Sequence, residues 1–544
     1  MAKDEAIPTH ARFSSMSKTI LSAISANVNS VLPSDNTNST WWKDPCLRWN
    51  VFYNMGSMLC PFYLGYDQGL LTGLQAMPTW NEYFDSPSGH WLGIISAAIL
   101  LPGIVMGFPA AWICNTWGRK VCVMIGSVLV IAGAIWNALS PNTVHFIVSR
   151  VIMGIGGALA KTSAPVLLQE TAHPRLRSNM STMYYGCYYI GSLLSSIMCV
   201  IGLEVPNTWS WRFPCLLALV GPAAVLLILI NAPESPRFLM RNGQTAKALH
   251  VLAKYHANGD PDDALVQWEY REIQTALEEE TMHSKASYTD FLKTPGNRKR
   301  LLVTVVMAMG VNWVGNGIVS YYLSPVLKSV GISEPINILS VNAGLAAWNL
   351  VIAETAGLYV DDWGRRPTLL TSTIGMIFSY AFVMGFSAGF AESGGTKTNL
   401  GIAAVPFLFI FFGFYDIGWT TLNYSYIAEI MPYTLRAKGL AIYLCVQQVG
   451  NTFNQFVNPI ALDAIAWRYY AVYIAIDCGF VLMIYYFFPE TKKLSIEEVG
   501  MIFDLGATDA RAAREMAAVA FEESDREKGE MSAVHVEAPE KKEG

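Results

Sequence analysis

Charge is scarce in this chain. Only 15% of its 544 residues are Asp, Glu, Lys or Arg, against roughly 25% in ordinary soluble domains. The net charge of −5 offers no basic surplus, so nucleic acid is not an expected partner. The nine cysteines are scattered with no CxxC pair, several of them inside apolar runs, and read as small buried hydrophobes. There is no GxxxxGK[ST] loop for ATP and no HExxH helix for zinc. GIGG at 154–157 has no strand before it, so it reads as a helix-packing stretch and not a dinucleotide loop. The opening MAKDEAIPTH has no short apolar core followed by a cleavage site, and no signal peptide is expected. These gaps leave no case for an enzyme, a metal site or a cofactor.

What the chain has instead is apolar length. Hydrophobic residues make up 52%, the mean hydropathy is +0.32, and apolar runs recur, each able to cross ~30 Å of hydrocarbon. They fall near 51–75, 91–113, 121–140, 145–169, 181–203 and 211–232, and again near 300–325, 338–361, 368–389, 401–429, 438–463 and 467–488. The expectation is an all-α membrane protein with twelve transmembrane helices in two six-helix halves. Its parts are a polar tail 1–49, a bundle 50–232, a polar helical linker 233–298, a bundle 299–488 and a polar tail 489–544. Lys and Arg cluster after every second run: Arg119/Lys120, Arg175/Arg177, Arg237/Arg241, Arg365/Arg366, Arg436/Lys438 and Lys492/Lys493. Residues 76–90 contain none. The positive-inside rule then puts both termini and the linker in the cytoplasm.

The two halves repeat. WGRK at 117–120 returns as WGRR at 363–366. Glu170 precedes Arg177 by seven residues, and Glu429 precedes Arg436 by seven. Pro233-Glu234 returns as Pro489-Glu490. Parallel six-span repeats are one way to build a transporter with its site between the halves.

The motifs GYDQG (65–69), NTWGRK (115–120), RVIMGIG (150–156), ETAHPRLR (170–177), PESPRFL (233–239), DDWGRRP (361–367), EIMPYTLR (429–436) and PETKK (489–493) resemble the sugar porter branch of the major facilitator superfamily. Within it, LLQETAHPRLR, GNGIVSYYLSPVL and QQVGNTFNQFVNP look most like fungal lactose-permease-like and hexose transporters. The resemblance covers about 45 to 495. It implies the major facilitator fold, a plasma-membrane location, alternating access, a mono- or disaccharide as partner and often proton symport.

Asp67 and Arg150 stand out on their own terms. Counted from the span ends at 1.5 Å per residue, Asp67 lies ~24 Å from one face and Arg150 ~8 Å from the other, so both fall in the outer third of the ~30 Å core. In the family the matching aspartate accepts the proton and the matching arginine tunes it. A guanidinium favours the carboxylate while burial favours the acid; a static ion pair that fixes the helices is the other reading. Lys161 lies on the same helix face as Arg150, within ~20°, as a cavity cation or the partner of an acid. Glu354 and Asp416 are extra intramembrane acids: other proton sites, partners for Lys161, or neutral buried groups.

The resemblance also implies a cytoplasmic gate of Arg119, Glu170, Arg177, Glu234, Arg237, Arg365, Glu429 and Arg436, in which Glu429 is expected to pair with Arg436. Asn115 stands where the family has an acid, which leaves the first network one charge short. Without the resemblance these residues are only topology signals.

Sugar recognition asks for donors and acceptors beside aromatic faces. Gln447, Asn451, Asn454 and Asn458 fall within ~60° of one another on a helix, as ligand contacts or interhelical glue. Gln447 and Asn451 match the family's binding positions, as do Asn349 and Tyr424. Tyr185, Ser192 and Ser196 share one face; Asn312 and Asn316 lie one turn apart before Tyr321 and Tyr322; Asp416, Thr420 and Asn423 share another. The family's glutamine pair on span 7 reads Val311 and Asn312, its following asparagine falls at Gly317 beside Asn316, its span 5 glutamines read Tyr185 and Ser192, and its span 10 tryptophan reads Tyr424. The expected pocket is Tyr185, Ser192, Asn312, Asn316, Asn349, Tyr424, Gln447 and Asn451, remodelled from the family's. A uniporter, a porter of a polyol or other non-sugar solute, and a transporter-like sugar sensor are the rival functions.

Overall fold

In hydrocarbon there is no water to satisfy backbone N–H and C=O groups, so long apolar runs must pair them within the segment, as helix. A computed structural model of the chain describes residues 33, 36–38, 40–283, 287–394, 396–432, 435–492, 494, 499–500 and 502–503, and among these there is no strand. Most of the expected tails, and Lys493, lie outside the described residues. Among the described residues the helices fall into twelve segments of membrane length, numbered here as spans. Spans 1–6 are Pro45–Leu74, Gly89–Thr116, Arg119–Ala138, Thr143–Thr171, Pro174–Leu203 and Trp209–Leu229. Spans 7–12 are Pro295–Ser329, Pro335–Trp363, Arg365–Glu392, Thr398–Ile430, Arg436–Ile465 and Tyr469–Phe487. Among the described residues ten stretches are both long and apolar enough to cross a membrane. One of them, Lys438–Phe487, holds span 12 and all but the first two residues of span 11. Span 1 is thirty residues long, its apolar run diluted by Asn50, Asn54, Asp67 and Gln68.

The spans lie where the apolar runs do, with four interruptions that periodicity does not reveal, one of them in span 6 between Leu217 and Val220. Span 2 breaks between Ala98 and Leu101. Span 7 breaks between Trp313 and Asn316, where Gly315 takes φ +99° and its carbonyl accepts from the Tyr380 hydroxyl at 2.6 Å. Span 10 widens into a π-turn at Asp416–Thr420 before its last helix, Ser425–Ile430. The linker contains Pro236–Arg241, Thr245–His256, Ala264–His283 and Asp290–Lys293. The two longer helices contain the charged stretches AKALHVLAKYH and WEYREIQTALEEE.

An even number of crossings brings Pro45, the linker and the end of span 12 to one side, called here the linker side. Small residues set the helix spacing. A Cβ on Gly126 of span 3 would come within 2.6 Å of the Gly156 carbonyl on span 4, the close approach that small residues permit in membranes. The broadest packing between the halves puts span 5 on span 8 and span 2 on span 11, where a Cβ on Gly93 would meet the Phe456 carbonyl at 2.7 Å. On the far side span 1 is bonded to span 7. Thr72 donates to the Ser320 carbonyl at 2.7 Å, Gln75 Nε2 to the Tyr321 carbonyl at 2.8 Å, and Ser324 to the Gln75 carbonyl at 3.1 Å. Large apolar side chains such as Phe108 (70% exposed), Leu227 (73%) and Tyr486 (72%) point outward, as lipid-facing residues do.

Candidate functional site

Asp67 and Arg150 are both buried, and Arg150 Nη2 lies 3.6 Å from Asp67 Oδ2. Span 2 completes the cage, its Ile95 carbonyl accepting from Arg150 Nε at 2.9 Å. One residue on, Gln68 Oε1 accepts from the Tyr188 hydroxyl of span 5. A charge pair held by three helices has few ways to relax, so a change in helix packing must change the balance between its members.

The expected pocket divides. Tyr185 of span 5 stacks on Tyr424 of span 10, centroids 6.0 Å apart and planes within 19°. The Tyr424 hydroxyl donates to Gln447 Oε1 at 3.3 Å. Asn312 donates to the Gln447 carbonyl at 3.1 Å, locking span 7 to span 11. Asn316 Oδ1, Asn349 Oδ1 and Asn423 Oδ1 are buried with no hydrogen-bond partner among the described residues. Such atoms are costly unless a ligand or water meets them. Asn451 is half-buried beside Tyr321. Ser192 instead packs against Gly69 of span 1, its Oγ 2.9 Å from where a Cβ would stand. Asn454 and Asn458 are glue inside the second half. Asn454 donates to the Asn312 carbonyl at 2.5 Å and accepts from Tyr473 at 2.7 Å; Asn458 accepts from Tyr469 and Tyr473 at 2.9 and 2.6 Å.

The linker side carries two copies of one network. Arg119 grips Glu170 through Nε and Nη2 at 3.0 and 3.2 Å, and the Ser235 hydroxyl donates to the same carboxylate at 2.5 Å. Glu234 caps span 3, accepting from the backbone N–H groups of Arg119 and Lys120 at 3.1 and 3.2 Å beside Gly118 at φ +109°. A carboxylate at a helix N-terminus meets unpaired donors and the positive end of the dipole, although burial, the dominant effect, leaves the Glu234 pKa raised. In the second half Arg365 grips Glu429 at 2.8–3.1 Å, Thr491 donates to Glu429 at 2.6 Å, and Glu490 caps span 9 through the N–H groups of Arg365 and Arg366 at 2.9 and 3.1 Å. Gly364 there has φ +97°.

Arg436 departs from the expected pairing. Arg436 does not pair with Glu429, whose oxygens are taken by Arg365 and Thr491, and its Nε is buried without a partner among the described residues. Arg177 pairs with Glu269 of the linker at 3.4 Å and not with Glu170. Arg237 lines a cavity with Asn115, Arg119, Glu170, Arg241 and Leu277. There Arg241 donates to Asn115 at 3.3 Å, so the missing acid is replaced by an amide acceptor. Lys161 meets neither extra acid; its Nζ lies 3.3 Å from Gln448 Oε1 of span 11. Glu354 faces Gly186 of span 5.

Sequence reasoning passed over several residues. Ser235 and Thr491 each follow a repeated Pro-Glu, so a hydroxyl after that dipeptide was there to be read. Asp477 of span 12 is fully buried with neither carboxyl oxygen bonded among the described residues; a lone acid in an apolar run was its signal. His256 bonds Glu269 at 2.5 Å and the Thr171 carbonyl at 3.2 Å. This pairing carried no local signature, because its partners lie on different helices.

The arrangement can be set beside known proteins. A family profile described as "Sugar (and other) transporter" matches residues 54–503. The chain belongs to this family. It is an integral, multi-pass membrane transporter of the major facilitator type, not an enzyme. Relatives include the MFS-type transporter oryC of Aspergillus oryzae, 28% identical over 80% of this chain and 82% of its own. The MFS glucose transporter mfs1 of Aspergillus flavus is 26% identical over 84% of this chain and 90% of its own. Among solved structures, the inward-open xylose transporter XylE from E. coli superposes with a TM-score of 0.68 at 22% identity, covering 82% of this chain and 98% of its own. At that identity the likeness speaks for the fold. The transporter therefore has the expected all-helical architecture.

Proposed function

We propose that this transporter carries a sugar by alternating access and couples it to protons, Asp67 taking the proton and Arg150 setting how tightly it is held. The observation that carries the proposal is the buried Arg150–Asp67 pair at 3.6 Å, caged by spans 1, 2 and 4. Burial favours the protonated acid and the guanidinium favours the carboxylate. A change of packing between outward and inward states moves that balance, and the proton moves with it. The substrate lies between the halves, where Tyr185, Tyr424, Gln447 and the unpaired oxygens of Asn316 and Asn349 offer ring faces and acceptors without a net charge. Ser192, Asn312 and Asn451 shape that pocket. The glucose transporter among the relatives and the proton:xylose symporter named among the solved structures support this substrate class and this coupling.

The halves 50–232 and 299–488 move as units, and the residues Arg119, Glu170, Arg177, Glu234, Arg237, Arg365, Glu429 and Arg436 form the gate region on the linker side. We place that side in the cytoplasm and the protein in the plasma membrane, on the Lys and Arg bias. The test is Asp67→Asn in proteoliposomes. Accumulation of labelled sugar driven by an inward pH gradient is expected to vanish while sugar counterflow persists. Accumulation at the unmodified level would refute Asp67 as the coupling site. A protein that exchanges sugar with no response to the gradient is a uniporter, and one that exchanges only polyols has another substrate.

A further inference from the structure

Asp416 lies on span 10 within the π-turn Asp416–Thr420, and none of it is exposed. Its Oδ1 accepts from Thr420 of its own turn and from the Tyr189 hydroxyl of span 5, both at 2.8 Å. The second of these bonds crosses from one half of the transporter to the other. Its Oδ2 is buried with no partner among the described residues.

The neighbours bring no counter-charge. Tyr189 from span 5 and Tyr415 from span 10 are the titratable groups that face Asp416 among the described residues. Spans 7, 8 and 9 also pack against the π-turn. Span 9 presents Ser372 at Gly418 and Thr373 at Trp419. Span 8 has Glu354, which faces Gly186, one turn before Tyr189 on span 5. Span 7 has Arg298, Lys299 and Arg300 at its linker-side end, where Arg300 bonds the Ile430 carbonyl. No ion pair to Asp416 is formed among the described residues. Asp67, by contrast, has Arg150.

A buried carboxylate with one bare oxygen and no cation carries a large desolvation penalty, and a bound proton removes the charge that incurs it. Part of that penalty comes from span 5, whose Tyr189 hydroxyl covers Oδ1. If the halves part there, water reaches the carboxyl and the proton can leave. A π-turn adds a second feature, because such turns occur mostly as local departures at functional positions in helices.

We infer that Asp416 is a second proton-binding site of this transporter, formed at the contact of spans 5 and 10 and emptied when that contact opens. The inference builds on the proposed transport cycle but not on Asp67 as the coupling group. The proton enters as H⁺ from water and returns to water, with no other reactant. Tyr189 is a positioning residue: its hydroxyl steadies Oδ1 and reports whether the halves are in contact.

The test compares unmodified protein, Asp416→Asn, Tyr189→Phe and Asp67→Asn in proteoliposomes. Infrared difference spectra are recorded as pH is stepped and as sugar is added. A protonated-carboxyl C=O band that is lost in Asp416→Asn, shifted in Tyr189→Phe and retained in Asp67→Asn is the expected result. Sugar counterflow, which needs no net proton movement, is expected to lose part of its pH dependence in Asp416→Asn. An unchanged band and pH profile in Asp416→Asn would overturn the inference. If Asp416→Asn does not fold, a Tyr189→Phe band identical to that of the unmodified protein would overturn it equally. Failure of the Asp67 proposal has a different signature, undiminished gradient-driven accumulation in Asp67→Asn.

Discussion

The two halves of this transporter are alike at the linker side and unlike in the membrane. At the linker side each has an arginine gripping a glutamate, a hydroxyl on the same carboxylate, and a second glutamate capping the helix that follows a glycine of positive φ. Inside the membrane the first half buries a charge pair, Asp67 with Arg150. The second buries acids with no cation, Asp416 and Asp477, among tyrosines and amides. The lesson is one of division. The repeated ends carry two copies of one ion-pair network, and the unrepeated interiors carry two different settings for buried acids. The linker breaks the symmetry again, since His256 ties it to span 4 of the first half and Glu269 ties it to Arg177 of span 5.

The largest effect short of losing Asp67 is expected from the two gripping arginines, and the comparison predicts their order. Arg119 and Glu170 are 8% and 14% exposed, Arg365 and Glu429 13% and 28%. Removing one member of a buried pair costs about 3–5 kcal/mol, and less as water reaches the partner. Arg119→Ala should therefore reduce transport and thermal stability more than Arg365→Ala, with both raising cysteine labelling from the linker side. Equal losses would mean that the halves contribute alike despite their burial.

Gln447→Ala comes next. It removes the acceptor of Tyr424 and leaves ligand hydroxyls unpaired, at ~1–3 kcal/mol, so the apparent KM should rise while surface expression holds. A normal KM would move the ligand away from span 11 and make the second half's amides purely structural.

A smaller effect is expected from His256→Gln, and it depends on pH. Burial opposes the charged imidazole, but Glu269 and the Thr171 carbonyl outweigh it, so the folded-state pKa is raised. Stability from this contact is fully present below about pH 6.5, the ordinary histidine value, and is lost as pH rises through the higher folded value. Protease cleavage between Ala257 and Asp263 should thus quicken in His256→Gln at pH 6 and differ little from the unmodified protein at pH 9. His173, held down to about 3 by burial first and by His256 second, is uncharged in the unmodified protein at both pH values.

The smallest effect belongs to Arg436→Ala. The motif repeat favours a pair with Glu429, but Arg365 and Thr491 already hold that carboxylate. Labelling from the linker side should change far less than in Arg365→Ala. A change of the same size would restore Arg436 to the second network.

The sequence by itself determined the helical class, the position of the spans and the repeat. These depend on composition, on runs longer than the bilayer and on motifs a few residues long, all of which are local. It also named Asp67 and Arg150, because matching depth along two helices is a matter of counting. Only the tertiary structure decided which side chains meet. It put Asn454 and Asn458 on Tyr469 and Tyr473 instead of in the pocket, gave Glu429 to Arg365 instead of Arg436, and turned Arg177 to the linker. It also widened span 10 at Asp416 and aimed Tyr189 across the halves at it. The physical reason is that a helix face is set by 100° per residue, whereas the partner of that face is set by crossing angles, interruptions at Gly315 and Asp416, and competition among donors for one acceptor.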